Sequence, residues 1–287
     1  MTHMSTLWVM PDDNYDQALK KFQKYLITNR YRSSTIDGYV DKVGRYLKFA
    51  KTDRPNHLHA EQFQAALTHR NRSTVNNYAI SIMAYHRSIG DFYLQIPLLR
   101  MADAIPYYFD EEDVNKIFSG IKNFKHYAML QTLFYGCLRA SELCNLDVVD
   151  VDLDNLILKV NDAKGGKSFR VMINDECGRT LRKYLDVRST FDIDGRQPLF
   201  FTDRGSRWTR GYLYTMIVGY KDKAHITKKG GLHVFARHTT ATMMIKNGGD
   251  IRVVQEILRH ADIRTTLRYA HVSDTTKREK YNKFLTL

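Results

Sequence analysis

The segment LDNLILKVNDAKGGKSFRVMIN, residues 153–174, alternates apolar and polar residues on both sides of KGGK. A period of two predicts β-strands, and a glycine-containing tip between two such runs predicts a β-hairpin. Most of the remaining chain has apolar residues at helical spacing instead. The sequence therefore predicts a mainly α fold with a small β-hairpin or sheet, of the α+β class.

The first hundred residues show helical periodicity and no strand pattern. YDQALKKFQKYLI places Leu19, Phe22, Leu26 and Ile27 on one apolar stripe, with lysines on the opposite face. Three further segments continue this periodicity, so residues 14–100 are predicted to form four helices.

Two of these predicted helices begin with similar sequences, YRSSTIDGY and NRSTVNNY. Hydroxyl side chains and free backbone N–H groups at a helix start, next to an arginine, suit the backbone phosphate of a nucleic acid. The alternative is that Ser33 and Ser73 simply cap their helices. The candidate phosphate-binding residues are Arg32, Ser33, Thr35, Arg72, Ser73 and Thr74.

The net charge of +13 is spread along the chain, with +5 in residues 1–103 and +8 in residues 104–287. A polyanion held between two basic domains would need this distribution, although a basic protein without a special partner could also carry it. No apolar run is long enough for a membrane span, and no signal peptide is visible at the N-terminus. The three cysteines form no CxxC pair, which favours a reducing, cytoplasmic compartment.

Residues 101–109 are predicted to link two domains, because Pro97 and Pro106 bracket LLRMADAI. The predicted domains are residues 1–100 and 110–287. The second begins with FDEEDV, where Asp110 and Asp113 form an approximate capping box. It continues with an apolar helical region broken at Gly136, the hairpin, a short strand and turn in PLFFTDRGSRWT, and helices to about residue 285.

Four separated clusters contain residues that could carry out chemistry. They are GCLRASEL with Arg139, the hairpin tip with Lys164 and Lys167, HVFARH with Arg237, and LRHADIRTTLRYAHV with His260 and Tyr269. Taken singly, each has a structural explanation, such as an ion pair within GCLRASEL or a packed tyrosine on an amphipathic helix. The sequence has no HExxH pattern, paired Cys/His spacing, P-loop or dinucleotide fingerprint, so no metal and no cofactor are predicted.

Together and in this order, the clusters resemble those of the tyrosine recombinases, the lambda-integrase/Xer-like phage integrase family. The spacings match: 25 residues from Arg139 to Lys164, 23 from Arg237 to His260, and 9 from His260 to Tyr269. The resemblance implies a site-specific DNA recombinase or integrase that cleaves and rejoins strands through a 3′-phosphotyrosyl intermediate and a Holliday junction. It also implies that the first domain is a helical, SAM-like core-binding domain and the second the catalytic domain.

The resemblance assigns a role to each residue of the set. Tyr269 would be the nucleophile, and Arg139 and Arg237 would hold the non-bridging phosphate oxygens with their planar, permanently charged guanidinium groups. Lys164 would give a proton to the departing 5′ oxygen, and His260 would hydrogen-bond the phosphate. Lys167 is the weaker choice for the acid and is assigned to DNA binding, and His238 is expected to serve structurally beside Arg237.

The partners implied by the resemblance are double-stranded DNA with inverted half-sites and further copies of the same chain. A homo-tetramer would assemble on two DNA sites, with the tail SDTTKREKYNKFLTL docked on a neighbouring subunit. The alternative for this tail is a terminal helix that packs on its own subunit. An accessory protein is a further partner that the family allows, and no membrane association is expected.

One position departs from the family pattern, which is His-x-x-Arg at the second arginine. Val234 stands three residues before Arg237, and His233 is one position too early. Because Gly230 and Gly231 precede it, His233 is expected at a helix entry where a non-helical backbone could still direct its ring into the site. Alternatively, Val234 fills the slot and His233 is a surface or capping residue. The departure keeps a catalytically impaired DNA-binding regulator open as a function, beside a type IB topoisomerase-like nicking and closing enzyme.

Overall fold

The computed structural model describes residues 12–101, 106–161, 168–270 and 281–282. The chain divides into two compact units, Met1–Ala102 and Asp103–Leu287. Each unit has an apolar core of its own. None of the helices in the described ranges is both long enough and apolar enough to cross a membrane.

The first unit contains the four predicted helices, α1 Asp12–Thr28, α2 Ser33–Ala50, α3 His57–Ala66 and α4 Arg72–Ser88. Helix α2 packs against the other three, and Phe22, Leu26 and Tyr46 are buried in the core between them. The predicted stripe of α1 is wrong at Ile27, which is 58% exposed. Successive residues of a helix are rotated by about 100°, so the residue after the buried Leu26 turns away from the core.

The starts of α2 and α4 exclude N-capping by the two serines. Helix α2 begins at Ser33 and has no side-chain cap, whereas α4 begins at Arg72 and is capped by Asn71, which accepts from the N–H of Thr74. Ser33 and Ser73 are therefore the first and second residues of their helices, and both are exposed. The capping alternative for these serines is wrong.

The second unit is mainly helical with one small sheet, as predicted. Strands β1 Val151–Asp152, β2 Ile157–Asn161 and β3 Ser168–Met172 form an antiparallel sheet in that order. The helices are α5 Glu111–Ser119, α6 Phe124–Tyr135, α7 Ala140–Asn145, α8 Asp175–Val187, α9 Arg210–Lys223, α10 Thr239–Lys246, α11 Ile251–Leu258 and α12 Ile263–Leu267.

The predicted hairpin corresponds to β2 and β3. Leu158 pairs with Val171, and both are buried on the core face of the sheet. The tip, residues 162–167, lies outside the described residues. PLFFTDRGSRWT, predicted as a short strand and turn, is reduced to two isolated bridges, Phe201 with Arg207 and Pro198 with Asp147.

Helix α6 crosses the core of the second unit and ends where the first site residue begins. Its residues Ala128, Met129 and Leu133 are fully buried. Gly136 ends the helix, and a Cβ at this position would lie 2.8 Å from the carbonyl oxygen of Thr132. Cys137 follows with a left-handed φ of 45°, which turns the chain sharply into α7.

Candidate active site

Arg139 stands at the start of α7, directly after this turn. Its Nη1 donates to Oε1 of Glu142 at 2.7 Å, and its backbone N–H donates to Oε2 of the same carboxylate at 2.7 Å. The structural ion pair considered for this cluster is therefore present. The Arg139 side chain nevertheless stays 32% exposed, whereas Glu142 is buried. The arginine can thus keep its ion pair and still present N–H groups to a ligand.

Arg237 is the most deeply buried cation of the site, with 1% of its surface exposed. Its Nη1 donates to the carbonyl oxygen of Cys137 at 2.7 Å, and its Nη2 donates to the carbonyl oxygen of Leu258. Burial and the nearby charges of Arg139 and Arg259 lower the pKa of Arg237 to about 10. The group is still a cation at neutral pH, and within the described residues two of its five N–H donors are bound to carbonyls of the protein.

His260 follows the end of α11, and hydrogen bonds on both sides fix its backbone. Its N–H donates to the carbonyl of Gln255 at 3.1 Å, and the Gln255 side chain donates back to the His260 carbonyl at 3.0 Å. The ring Nδ1 lies 2.9 Å from Oγ1 of the buried Thr266. Burial, then the charges of Arg237 and Arg139, lower the pKa of His260 to about 4, so the ring is neutral at pH 7.

Tyr269 lies just past α12 and is buried, with 8% of its surface exposed. Its N–H donates to the carbonyl of Thr266 at 2.9 Å, so the same threonine is tied to both His260 and Tyr269. Burial raises the pKa of the Tyr269 phenol, and the charges of Arg237 and Arg268 act in the opposite direction. The phenol therefore stands within the electrostatic reach of Arg237.

His233 lies at the entry to a π-helical turn, Val234–His238. The N–H of Thr239 donates to the carbonyl of Val234, five residues earlier, where an α-helix would pair residues four apart. The turn thus holds one residue more than an α-helical turn. His233, four residues before Arg237, therefore lies close to the place that a residue three positions before Arg237 would take in a regular α-helix.

The structure tests two expectations about His233: that its backbone is non-helical, and that its ring lies in the site. The backbone at His233 is helical, with φ −68° and ψ −37°, so the expected non-helical entry is wrong. His233 is exposed and Val234 is half-buried, as the surface alternative expects, but desolvation of the His233 ring lowers its pKa to about 4, with further contributions from His238, Arg237 and Arg139. The His233 ring is therefore within range of the charges of both arginines, and it lies 4.8 Å from the ring of His238.

Three residues of this cluster have a larger part in the structure than the sequence indicated. Glu142 binds Arg139 and also accepts from Nη2 of Arg259 at 2.6 Å. The ring of His238, expected only to support Arg237, lies 4.8 Å from the ring of His233 and 5.6 Å from that of Tyr269. Arg259 and His238 are adjacent in the sequence to His260 and Arg237, and Glu142 is three positions from Arg139, but only the fold shows the contacts of Glu142 with Arg259 and of His238 with the two rings.

The remaining predicted residues lie elsewhere. Lys164 and Lys167 fall outside the described residues. Arg32, Ser33, Arg72 and Ser73 lie at the exposed starts of α2 and α4, with Thr35 and Thr74 half-buried behind them. Within the described ranges, no group of three or more His, Cys, Asp or Glu side chains is arranged to hold a metal ion.

The comparisons with known proteins agree with the residue pattern. The model of the phage integrase family matches residues 107–276. The tyrosine recombinase XerA of Thermococcus kodakarensis is 30% identical over 270 residues, which cover 90% of this chain and 92% of the relative. The chain belongs to the phage integrase family of tyrosine recombinases.

Other relatives of this recombinase span the same length. A tyrosine recombinase from Pseudothermotoga lettingae is 28% identical over 294 residues, covering 94% of this chain and 99% of its own. The crystal structure of the XerH site-specific recombinase bound to difH substrate has a similar fold, with a TM-score of 0.72, 20% identity and coverage of 98% and 99%. As a member of this family, the protein is an enzyme that breaks and rejoins DNA strands.

Proposed function

We propose that this enzyme is a site-specific DNA recombinase in which Tyr269 attacks the scissile phosphate. The observation that carries this proposal is geometric: Thr266 contacts both Tyr269 and His260, and the His238 ring lies 5.6 Å from Tyr269 and 4.8 Å from His233. The charge of Arg237 acts on Tyr269, His260 and His233 alike. In the first step, a bond forms between the tyrosine oxygen and phosphorus. The bond from phosphorus to the 5′ oxygen breaks, which leaves a 3′-phosphotyrosyl enzyme and a 5′ hydroxyl.

The reverse step rejoins the strands without an external energy source. A 5′ hydroxyl from the partner duplex attacks the phosphotyrosyl bond, and the tyrosine oxygen leaves. Because the phosphodiester energy is retained in the covalent intermediate, cleavage and rejoining are close to balanced. One round of exchange then gives a Holliday junction, and a second round resolves it.

Arg139 and Arg237 are proposed to bind the non-bridging phosphate oxygens. Arg237 is fixed by the carbonyls of Cys137 and Leu258, and Arg139 is fixed by Glu142, so neither guanidinium has to reorganise when charge develops. Preorganised cations in a partly dry site stabilise developing charge more strongly than cations that water must first leave. This arrangement can stabilise the pentavalent phosphate without a metal ion.

The two neutral histidines take different parts in the proposed reaction. We assign His260 the tautomer in which Nδ1 accepts from the Thr266 hydroxyl, so that Nε2 carries the hydrogen and can donate to a phosphate oxygen. His233 is neutral as well and is proposed to accept the proton that Tyr269 loses. The π turn is the feature that supports this role for a histidine in an unusual register.

The leaving 5′ oxygen requires a proton, for which Lys164 is proposed as the donor and Lys167 as a DNA contact. The proposal for these two lysines rests on the sequence spacing, since the hairpin tip lies outside the described residues.

The partner is double-stranded DNA. Residues 1–100 are proposed as the core-binding domain and residues 110–287 as the catalytic domain. In the first domain, the exposed starts of α2 and α4 are proposed to bind the DNA backbone. The residues concerned are Arg32, Ser33, Thr35, Arg72, Ser73 and Thr74.

We further propose a homo-tetramer on two DNA sites, each with inverted half-sites, in which the C-terminal tail docks on the next subunit. An apolar groove of the second unit offers a surface for such a tail. It is lined by residues of α6, α10 and α11, among them Phe134, Met243, Met244, Val253 and Ile257. An accessory protein stays open as a further partner, and a DNA substrate fits the expected cytoplasmic location.

Two other functions remain to be separated from recombination. The π turn weakens the argument for a catalytically impaired regulator, which rested on Val234 in the place of histidine. A type IB topoisomerase-like enzyme would share the phosphotyrosine chemistry. Relaxation of supercoiled DNA that lacks a recombination site would favour the topoisomerase, and relaxation or exchange only with a specific site would favour the recombinase.

A suicide substrate tests the proposed function directly. The enzyme is incubated with nicked duplexes from the flanking DNA of its own gene, from which the short cleaved strand diffuses away and traps the covalent complex. Sequencing the trapped junction gives the site. A covalent complex at one defined sequence with a free 5′ hydroxyl is expected, and binding without any covalent complex on these duplexes would support the regulator instead.

A further inference from the structure

Arg259 ends helix α11 in the left-handed region, with φ 53° and ψ 47°. Glycine is the usual residue at such a helix end, because a Cβ is crowded in this conformation. The Arg259 side chain is nevertheless held inside the unit, with 7% of its surface exposed. Strained backbone conformations are common at functional sites, so a large cation that is buried in one beside the candidate active site suggests a functional role.

The partner of Arg259 is the carboxylate that also binds the first phosphate-binding arginine. Nη2 of Arg259 donates to Oε2 of Glu142 at 2.6 Å, while Nη1 of Arg139 donates to Oε1 at 2.7 Å. A single buried carboxylate therefore lies between two guanidinium groups. The charge of Arg259 also contributes to the lowered pKa of Arg237.

The backbone of the same turn holds the two phosphate-binding arginines. The carbonyl of Leu258 accepts from Nη2 of Arg237, and the adjacent carbonyl of Arg259 accepts from Nη2 of Arg139 at 3.5 Å. His260 is the next residue. The end of α11 thus contacts both arginines and supplies the histidine, so a change in this turn is transmitted to all three groups.

The pairing is poorly suited to a purely stabilising role. Arg259 also donates from Nη1 to the Ile257 carbonyl at 3.3 Å, but within the described part of the chain its buried Nε has no hydrogen-bond partner. Buried ion pairs often stabilise a fold no better than apolar side chains of similar size. A buried arginine with an unsatisfied donor is therefore better explained by what it does to Glu142.

We propose that Arg259 is a positioning residue that shares the charge of Glu142 and so keeps the charge of Arg139 available to the scissile phosphate. Without Arg259, the carboxylate would neutralise Arg139 alone, and its second oxygen would be buried beside the phosphate without a cation. With Arg259, the three arginines and one carboxylate give this cluster a net charge of about +2. This inference rests on the proposed function of the site.

The test compares Arg259→Gly with a matched control, Lys51→Gly. Lys51 is also a cation that ends a helix in the left-handed region, with φ 54° at the end of α2 in the first unit. Both changes remove a cation and relieve the same backbone strain. Single-turnover cleavage of a saturating suicide substrate is measured for each variant, per folded molecule, together with DNA affinity and the unfolding temperature.

Arg259→Gly is expected to slow cleavage by about 10- to 100-fold at unchanged DNA affinity, and Lys51→Gly is expected to cleave like the wild type. Arg259→Lys should recover part of the rate. Adding Glu142→Gln to Arg259→Gly should also raise the rate, because a neutral amide no longer offsets the charge of Arg139. A merely structural role for Arg259 predicts no such recovery.

Two results would overturn the inference: wild-type cleavage by Arg259→Gly, or no increase in rate when Glu142→Gln is added. If Arg259→Gly is poorly folded, the double variant and Arg259→Lys decide the question by the same comparison. Absence of cleavage by the wild type on every substrate would instead count against the proposed function.

Discussion

The guanidinium of Arg237 donates to the backbone carbonyl of Cys137 at 2.7 Å, across 100 positions of sequence. Cys137 has a left-handed backbone and lies two residues before Arg139. One hydrogen bond therefore connects the turns that carry the two phosphate-binding arginines. The spacing between these arginines is set by a buried contact of the protein before any DNA is bound.

Arg237→Lys is expected to abolish detectable cleavage and to lower the free energy of unfolding by about 2 kcal/mol or more. The lysine ammonium keeps the charge, but it lacks the planar set of N–H donors with which the guanidinium binds the Cys137 and Leu258 carbonyls and a phosphate at the same time. Urea unfolding and the suicide-substrate assay measure the two effects. Retained cleavage with unchanged stability would show that the planar fork is not needed.

His233→Ala is expected to slow cleavage by about 100-fold or more, as for the loss of a general base, while DNA binding is kept. Val234→Ala, in the register expected from the family, should have little effect. The double change His233→Ala with Val234→His should not restore the rate, because the π turn presents position 233 and not 234. Restoration by this double variant would refute the register inferred from the π turn.

Thr266→Val and Thr266→Ser form a matched pair for the role of His260. Valine keeps the shape of threonine but cannot donate to Nδ1 of His260, so the ring loses the contact that fixes its tautomer. Cleavage should fall about 10-fold in the valine variant and stay near the wild type in the serine variant. Equal rates in both variants would mean that the Thr266 hydroxyl does not orient His260.

The sequence allowed the mainly helical fold, the hairpin and the order of the reactive residues to be predicted, because periodicity and spacing are local properties. It did not predict the π turn, since one inserted residue can be absorbed by a helix in several ways. Nor did it indicate that Glu142 and Arg259 pair, because the two residues are 117 positions apart. Ile27 was misplaced because a stripe read from sequence does not fix how wide the buried face is.

Acid conditions should destabilise the folded protein over a defined pH window. The pKa of His260 is about 4 in the folded protein and about 6.5 in an unfolded chain, so the unfolded state binds more protons between these values. The stabilising contribution is complete above about pH 6.5 and is lost as the pH falls toward 4. Urea unfolding at several pH values should show this slope, reduced in His260→Asn; an equal slope in that variant would contradict the assignment.

Ser33→Ala and Ser73→Ala should weaken DNA binding without changing stability, because neither serine caps its helix. Asn71→Ala is the contrasting variant and should lower the free energy of unfolding by about 1 kcal/mol, since Asn71 caps α4. Binding should also weaken steeply with salt, as expected for phosphate contacts that release counterions. Serine variants that lose stability but keep DNA affinity would argue against phosphate binding at these helix starts.

The most direct test of the mechanism is to locate the covalent bond in the trapped protein–DNA complex. The chain has 18 tyrosines, so the attachment point discriminates strongly. The trapped complex is digested with nuclease and protease, and mass spectrometry identifies the peptide that keeps a nucleotide. A 3′-phosphoryl link to Tyr269 is expected, with no adduct in Tyr269→Phe. A nucleotide on another residue, or an adduct that survives Tyr269→Phe, would contradict the role of Tyr269 as the nucleophile.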